Sequence, residues 1–294
     1  MSETHLVSVW PQVTVVLVTY NSALVIDNCL SSLSAAQNII VVDNASSDDT
    51  CEIITSRYPQ INLLRNSVNK GFGAGVNQGM AKVRTKFAFY FSPDAILMEN
   101  SMEILVNTAL KNPQAALIGP LLQRPNGDIE LYVMGPSEIR HSPISHVPDG
   151  PFCTWFIMGG FFLTSMSIWR EIGGFDERIF LYSEDMDLSL RSTKHGFGIL
   201  IDPAARVTHA GGQSSRVTWS IRWRKDWHQT WSHFYVAQKH GLTDRVRYEA
   251  RDVARKHFWR ALLYFLLLRP DRVRGNLAKA FGALAFLSGK KGSS

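Results

Sequence analysis

Four apolar runs separated by segments with helical patterns constrain the fold of this chain more than any other feature. The runs are rich in β-branched and aromatic residues and lie at 13–20 (VTVVLVTY), 38–46 (NIIVVDNAS), 61–66 (INLLRN) and 86–92 (KFAFYFS). Asn21 and Ser22 follow the first run and are typical N-caps, so we expect a helix there through about Leu33. This alternation predicts an α/β fold with a mostly parallel sheet and helices on both faces.

Ligands of such sheets bind beyond the carboxyl ends of the strands, where this chain has several polar residues. Asp43 can accept a hydrogen bond from a ribose hydroxyl or a base N–H, although an ordinary turn carboxylate would look the same in the sequence. Asp94 follows the rigid Ser92-Pro93 step and can bind Mg²⁺ or Mn²⁺ beside nucleotide phosphates. His209 ends a predicted strand pair at 196–209, either as a structural hydrogen-bonding group or as a further ligand that favours Mn²⁺.

The segment 172–191 (IGGFDERIFLYSEDMDLSLR) concentrates five acids next to apolar and aromatic residues. Adjacent carboxylates beside apolar surface are costly unless a metal, a base or a proton donor shares the space. Glu184 and Asp185 are therefore candidates for general-base chemistry. A surface helix with Ser183 as its N-cap and acids in its first turn would give the same pattern.

Gly71–Gly75 (GFGAG) has the wrong spacing for a GxGxxG dinucleotide site and lacks an acid about 20 residues later, so we exclude that site. Lys70, directly before it, is a candidate phosphate or sugar contact. The cysteines Cys29, Cys51 and Cys153 show no CxxC spacing, which argues against a disulfide framework and a zinc site. The N-terminus resembles no signal peptide, so we expect a cytoplasmic protein, peripheral on the inner face of the cell membrane.

Charge is divided unevenly along the chain. Residues 1–215 contain 14 basic and 20 acidic residues, whereas residues 216–294 contain 17 basic and 5 acidic ones. A basic tail predicts an anionic partner, either phospholipid head groups or a phosphorylated substrate, and nucleic acid would satisfy the charge equally. We expect a domain at 1–215 and a helical extension at 216–294.

Aromatic residues recur every fourth position in this extension, at Trp219, Trp223, Trp227, Trp231 and Tyr235. The stripe fits packing against the body or an interfacial helix, because tryptophan with basic residues suits lipid head groups. The run at 258–268 (FWRALLYFLLL) is too short for a bilayer span, which needs about 20 apolar residues. It fits a helix in the membrane plane or one packed on the body.

Several motifs occur in a fixed order that resembles glycosyltransferase family 2, and most closely its bacterial rhamnosyltransferase-like branch. They are VTVVLVTYN, IIVVDNASSDDT, NKGFGAGVNQGM, FYFSPDAIL, MGGFFL, GGFDERIFLYSEDMDLSLR and VTHAGGQS. The resemblance covers about residues 12–240. It implies a GT-A fold, a dTDP- or UDP-sugar donor, Mg²⁺ or Mn²⁺, and inversion at the anomeric carbon. It also implies a glycan or lipid-linked acceptor in cell-wall or lipopolysaccharide synthesis.

The resemblance assigns roles at the donor side by motif. It implies that Thr19, Tyr20 and Asn21 line the nucleotide pocket and that Asp43, with Asn44, holds the base or ribose. Ser92-Pro93-Asp94 occupies the family's DxD position, where Ser92 replaces the first acid. Asp94 is then the carboxylate ligand, and His209 a candidate second ligand.

The resemblance also assigns the acid-rich segment. Asp185 would be the general base, Glu184 would orient the acceptor, and Arg191 with the glycine-rich segment after His209 would hold the diphosphate. We assign no chemistry to Asp176, Glu177 and Asp187.

Two alternatives remain. A sugar-phosphate nucleotidyltransferase would show a glycine-rich, basic triphosphate loop, which VTYNSALV is not. A non-catalytic binding protein with a degenerate metal site would fit Ser92. We expect an anionic membrane surface rather than nucleic acid as the tail's partner, and the sequence carries no signal for an oligomeric state.

Overall fold

The computed structural model describes residues 8–130, 132–135, 138–143, 147–209 and 218–292. The strands are β1 Val13–Thr19, β2 Ile39–Asp43, β3 Asn62–Arg65, β4 Phe87–Phe91, β5 Ala95–Leu97, β6 Ala115–Gln123, β7 Ile129–Glu130, β8 Tyr132–Gly135, β9 Glu138–Pro143, β10 Phe152–Cys153, β11 Phe161–Ser165 and β12 Gly198–His209. The helices are α1 Ile26–Ser32, α2 Thr50–Arg57, α3 Phe72–Met80, α4 Ser101–Lys111, α5 Met166–Ile172, α6 Glu184–Lys194, α7 Trp219–His240, α8 Val246–Leu266 and α9 Pro270–Leu287, with a short 3₁₀ turn at Trp10–Gln12.

One ten-stranded sheet carries most of the strands, in the order β10-β12-β6-β11-β4-β1-β2-β3, with β5 beside β12 and β7 beside β6. The predicted α/β architecture is confirmed, and β4, β1, β2 and β3 are parallel. β11, however, is antiparallel to both β4 and β6. A parallel connection needs a crossover, usually a helix, and the described residues between β6 and β11 contain none.

Two local predictions differ from the structure. The first helix begins at Ile26 without a side-chain cap, because Asn21 has φ 53° and its side chain accepts hydrogen bonds from Ser47 instead. The predicted strand pair at 196–209 is the single strand β12, whose register shifts between Asp202 and Arg206. Pro203 stands within that shift and has no N–H for a ladder hydrogen bond.

The chain folds into two compact units. Unit 1 comprises Met1–Asn69, Gly75–Gly174 and Ser189–Ser215, and unit 2 comprises Lys70–Ala74, Phe175–Leu188 and Arg216–Ser294. In unit 1 every residue of β1 and β4 is buried, which explains their continuous apolar runs. In unit 2, α7, α8 and α9 share a core that includes Trp231, Phe234 and Phe286.

Glycines let α3 approach β1 closely. A Cβ on Gly79 would lie 2.5 Å from Cγ1 of Val16, and a Cβ on Gly75 would lie 2.9 Å from Cγ1 of Val18. Both valines are buried in a central strand and β-branched, so they have little freedom to move. The glycines at these positions therefore set the distance between helix and sheet.

We expect Gly79→Ala to lower the free energy of unfolding by about 1 kcal/mol. The overpacking cost of about 1–3 kcal/mol exceeds the gain in helix propensity of up to about 1 kcal/mol. Gly150→Ala is the matched control, because a Cβ there meets nothing within 4 Å. Urea denaturation of both variants measures the difference, and equal stabilities would contradict the close packing.

Candidate functional site

The ends of β1 and β2 form a hydrogen-bonded group of predicted site residues. Thr19 Oγ1 donates to Asp43 Oδ1 at 2.9 Å, and the Asn44 N–H donates to the Thr19 carbonyl at 2.8 Å. Ser46 donates its N–H to Asp43 Oδ2 at 2.9 Å and its hydroxyl to Asp43 Oδ1. The structure thus brings together Thr19, Asp43 and Asn44, and Ser46 joins them.

These contacts give Asp43 a structural role. Its carboxylate is almost fully buried and holds the turn after β2 through three donors. The Asn21 N–H also donates to Ser46 Oγ at 2.8 Å, which links the loop after β1 to that turn. Tyr20 is half-buried, and its N–H donates to Ser22 Oγ at 3.3 Å. The group therefore shapes the two loops that end neighbouring strands, and its nucleotide contacts stay predictions.

A second group lies after β4 and at the end of β12. Ser92 Oγ donates to Asp94 Oδ1 at 2.6 Å, and His209 Nε2 lies 3.4 Å from the same oxygen. Burial of the Asp94 carboxyl raises its pKa, but the hydrogen bonds from His209 and Ser92 outweigh burial and hold it below its usual value. Asp94 is therefore an anion held in place at the sheet's carboxyl edge.

This pair fits a divalent cation that also binds a nucleotide. Magnesium takes one or two protein carboxylates with substrate phosphates and waters, at distances that place neighbouring ligands about 3 Å apart. Asp94 Oδ1 and His209 Nε2 are 3.4 Å apart, and His209 Nδ1 is buried without a hydrogen-bond partner among the described residues. The described residues include no group of three or more metal-binding side chains, so the phosphates and waters would have to complete the coordination. The glycine-rich segment after His209 lies outside the described residues.

In unit 2, Glu184 and Asp185 begin α6 but differ sharply in environment. Glu184 is only 7% exposed, and its Oε2 has no hydrogen-bond partner among the described residues. Burial, and then repulsion from Asp185, raise the pKa of Glu184 to about 8. Asp185 is half-buried, and its Oδ1 accepts the Met186 N–H at 2.8 Å. Near neutral pH the pair therefore holds a protonated Glu184 beside a more accessible carboxyl.

The backbone directly before this pair is strained. Tyr182 and Ser183 both lie in the left-handed region, with φ 67° and φ 64°. Such conformations cost a non-glycine residue of order 1–3 kcal/mol and persist where the surroundings enforce them. Asn21 and Ala45 show the same feature, with φ 53° and φ 64°, in the loops after β1 and β2. Four of the six non-glycine residues that have a positive φ in the described part of the chain therefore lie in segments that carry candidate residues.

Asp176 and Asp187, which we assigned no chemistry, anchor the acid-rich segment to the C-terminal end of α7. Asp187 is fully buried and accepts His240 Nε2 at 2.8 Å and Lys239 Nζ at 2.5 Å. Lys239 also donates to Asp176 at 2.8 Å, and the Tyr235 hydroxyl donates to Asp176 at 2.7 Å. Burial raises the pKa of Asp176, but its hydrogen bonds, together with that from Arg178, outweigh burial and hold it well below its usual range.

The glycine-rich motif also belongs to this anchoring. A Cβ on Gly71, which has φ 93°, would lie 2.6 Å from the Phe180 carbonyl oxygen. That carbonyl accepts the Phe72 N–H at 2.9 Å, and the Leu181 carbonyl accepts the Ser232 hydroxyl at 2.9 Å. Glycine at position 71 is therefore needed for this close backbone approach. Lys70 is exposed, and its phosphate or sugar contact stays a prediction.

Arg191 has structural partners. Its guanidinium donates to the carbonyls of Ile172 at 2.7 Å and Gly174 at 2.5 Å. These carbonyls belong to the end of α5 and the turn after it, so Arg191 closes that turn. Its predicted contact with a diphosphate would have to coexist with these bonds.

Four residues that contact the candidate acids were not predicted from the sequence: Ser46, Tyr235, Lys239 and His240. Ser46 lies three residues after Asp43, a spacing typical of side-chain-stabilised turns, so a local signal existed. The α7 residues lie 48 or more positions after Asp187, and no local pattern indicates that pairing.

Comparisons with known proteins identify similar sequences. A family model described as "Glycosyl transferase family 2" matches residues 14–182. The N-acetylglucosaminyl-diphospho-decaprenol L-rhamnosyltransferase of Mycobacterium tuberculosis is 29% identical over 235 residues, covering 68% of this chain and 76% of that protein. The rhamnosyltransferase WbbL of Escherichia coli is 33% identical over 87 residues, covering 30% of this chain and 32% of that one.

Solved structures share the fold at low sequence identity. GalNAc-T7 with UDP, GalNAc and Mn²⁺ has a TM-score of 0.63 and 14% identity, covering 94% of this chain and 56% of that one. The mannosyltransferase PcManGT of Pyrobaculum calidifontis, solved with GDP-Man and Mn²⁺, has a TM-score of 0.58 and 15% identity, covering 95% of this chain and 88% of that one. These likenesses confirm the predicted GT-A fold.

We expect Asp187→Ala to lower the free energy of unfolding by about 3 kcal/mol, because it leaves His240 and Lys239 without their buried acceptor. The matched control is Asp252→Ala, which removes surface pairs with Arg255 and Lys256 on α8 and should change stability little. Urea denaturation compares the two, and equal losses would refute the anchoring role of Asp187.

We expect the stability of the wild type to fall relative to Glu184→Gln as the pH rises from about 4.5 to about 8. The pKa of Glu184 is raised in the folded state. The protonated side chain therefore stabilises the fold fully below pH 4.5, and this contribution is lost as the pH rises through about 8. Denaturation across this pH range measures the difference. Glu171→Gln, on the exposed side of α5, should follow the wild type; parallel curves for all three proteins would overturn the assignment.

Proposed function

We propose that this chain, which belongs to glycosyl transferase family 2, transfers a sugar from a nucleoside-diphosphate donor to a lipid-linked glycan acceptor in cell-surface polysaccharide synthesis. The observation that carries the proposal is the polar carboxyl edge of the sheet, where Asp43 and the Asp94–His209 pair lie in a chain that matches the family model. Rhamnose is the proposed donor sugar, because both curated relatives described above are rhamnosyltransferases.

The donor nucleotide is proposed to bind at the loops after β1, β2 and β4. Thr19, Tyr20 and Asn21 would border the base and ribose, and Asp43 with Asn44 would fix the loops and contact the ribose. This is supported by the rule that ligands of parallel sheets bind beyond the carboxyl strand ends. It is also supported by the loops themselves. Asn21 and Ala45 both have a left-handed backbone, and the Asn21 N–H donates to Ser46 Oγ, which joins the loop after β1 to the loop after β2.

Asp94 and His209 are proposed to hold Mg²⁺ or Mn²⁺ together with the donor diphosphate. When bound, the cation would stabilise the negative charge of the leaving diphosphate. Ser92 stands in place of the first acid of the family's DxD motif and donates to Asp94, so its proposed contribution is to orient that carboxylate. The two structural relatives described above were solved with Mn²⁺, which supports a divalent metal in this fold.

Asp185 is proposed as the general base that takes the proton from an acceptor hydroxyl as that oxygen attacks C1 of the donor sugar. This displacement inverts the anomeric carbon. Asp185 is favoured over Glu184 because it is more accessible and because Glu184 holds its proton to about pH 8. Protonated Glu184 can donate a hydrogen bond and so orient the acceptor or Asp185.

The acceptor is proposed to be lipid-linked and the protein peripheral on the inner face of the cell membrane. The mycobacterial relative is named for a decaprenol diphosphate acceptor, and the basic tail of this chain suits an anionic surface. Within the described ranges, every helix is too short or too polar to cross a bilayer.

One assay tests the proposed function against both alternatives. Purified protein is given dTDP-, UDP- and GDP-sugars with Mg²⁺ or Mn²⁺ and a lipid-diphosphate-linked acceptor, and free nucleoside diphosphate is measured. We expect release from dTDP-rhamnose. Pyrophosphate release from a nucleoside triphosphate and a sugar phosphate would instead indicate a nucleotidyltransferase, and donor binding without turnover a binding protein.

We expect Asp185→Asn to lower the turnover number by about 10²–10⁴ while donor affinity stays within a few-fold, because general-base assistance is worth that much. Steady-state kinetics and calorimetric donor titration separate the two effects. Glu177→Gln, an exposed acid of the same segment, is the control and should keep wild-type turnover. Near-native turnover of Asp185→Asn would exclude it as the base.

We expect Asp94→Ala to weaken nucleotide-sugar binding in the presence of Mn²⁺ at least tenfold and to leave metal-free binding nearly unchanged. The reason is that the carboxylate acts through the cation. Titration with and without Mn²⁺ measures the difference. An equal loss in both conditions would point to a structural role for Asp94.

A further inference from the structure

The hairpin of α8 and α9 has an unusual distribution of apolar side chains. Its buried positions are mostly small, including Ala250, Ala254 and Ala261 on α8 and Ala278 and Ala283 on α9. Large apolar side chains near the hairpin turn face outward, each at least 45% exposed: Phe258, Trp259, Leu262, Leu263, Phe265, Leu266, Leu267 and Leu268. Small residues between helices and large ones outside are the pattern of helices packed in lipid.

The exposed apolar residues are concentrated at one end. They occupy the last two turns of α8 and the turn into α9, where Leu268 is 86% exposed and has φ 53°. We call these residues, 258–268, the apolar tip. Soluble proteins rarely leave so many adjacent large apolar side chains exposed without a binding role. The tip is too short to span a bilayer.

Basic residues lie within and directly after the apolar tip. Between Val246 and Leu287 the chain has nine basic and three acidic residues. Arg260 lies within the tip, Arg269 follows Leu268 directly, and Arg272 and Arg274 lie in the first turns of α9. All four are exposed. Basic side chains next to an apolar surface match anionic head groups above the acyl chains.

We propose that the apolar tip inserts into the interfacial layer of an anionic phospholipid membrane, with Arg260, Arg269, Arg272 and Arg274 at the level of the head groups. This deepens the membrane partner proposed above and names the element that binds it. The occupant is lipid and not a second protein chain, because the exposed basic residues around the tip would repel the same basic surface on another copy.

Vesicle binding tests the proposal directly. The double variant Phe265→Ser/Leu266→Ser should bind phosphatidylglycerol–phosphatidylcholine vesicles at least about 100-fold more weakly, because two large apolar side chains no longer leave water on binding. The double variant Arg260→Gln/Arg269→Gln should bind roughly 30-fold more weakly, at about 1 kcal/mol per charge. Leu110→Ser on α4 and Arg84→Gln, both exposed in unit 1, are the matched controls and should bind as the wild type.

A second measurement uses the wild-type fold. Trp259 is 63% exposed within the tip, so brominated lipids should quench tryptophan fluorescence of the wild type but much less that of Trp259→Phe. Trp155→Phe, which removes an exposed tryptophan of unit 1, should keep the quenching. Quenching as strong in Trp259→Phe as in the wild type would overturn the proposal even if the serine variant failed to fold.

Three further outcomes would test the membrane proposal. Equal binding to pure phosphatidylcholine vesicles would refute the role of the arginines. A change of oligomeric state in the serine variant with unaltered vesicle binding would assign the tip to a second copy of the chain. Transfer to a lipid-diphosphate-linked acceptor dissolved in detergent, with no bilayer present, separates the two proposals: tip variants should keep that activity. If the wild type lacked it, the proposed function would fail while vesicle binding stayed readable.

Discussion

The parallel pairing of β1 with both β2 and β4 is the constraint on which the candidate donor side depends. β1 is buried along its whole length, and its register with its neighbours brings Thr19 level with Asp43. Because parallel strands end at the same edge, three loops with different sequences must share one border. The Thr19–Asp43 hydrogen bond then fixes two of these loops at the point where a ligand would bind.

The two acid-bearing regions use their carboxylates in opposite ways. Asp94 is surrounded by donors that favour its charged form, which suits a cation ligand. Glu184 is buried without a donor to its Oε2 among the described residues, which favours its neutral form. Asp176 and Asp187 have a structural role instead, because both carboxylates pair with Lys239 and hold the acid-rich segment on α7. The environment of each carboxylate, and not its position in a motif, separates these functions.

Much of unit 1 could be predicted from the sequence, because continuous apolar runs such as 13–20 are a local signal for buried parallel strands. The antiparallel placement of β11 and the single irregular strand β12 were not predictable, since they depend on which edge of the sheet is left for pairing. Asp43 and Asp94 lie at strand ends, as the sequence predicts, and the order of the motifs indicates the family. The partners of Asp187 were not predictable, because a buried hydrogen bond between residues 53 positions apart leaves no periodic pattern in the sequence.

The anchoring of the acid-rich segment by α7 has a consequence for biosynthesis. Asp176 and Asp187 are synthesised before Tyr235, Lys239 and His240, so both acids leave the ribosome without the side chains that they contact in the folded chain. Burying a carboxylate without its partners costs free energy, so we expect the acid-rich segment to stay hydrated during that interval. We therefore expect the segment that carries the proposed base to fold only after α7 has been synthesised.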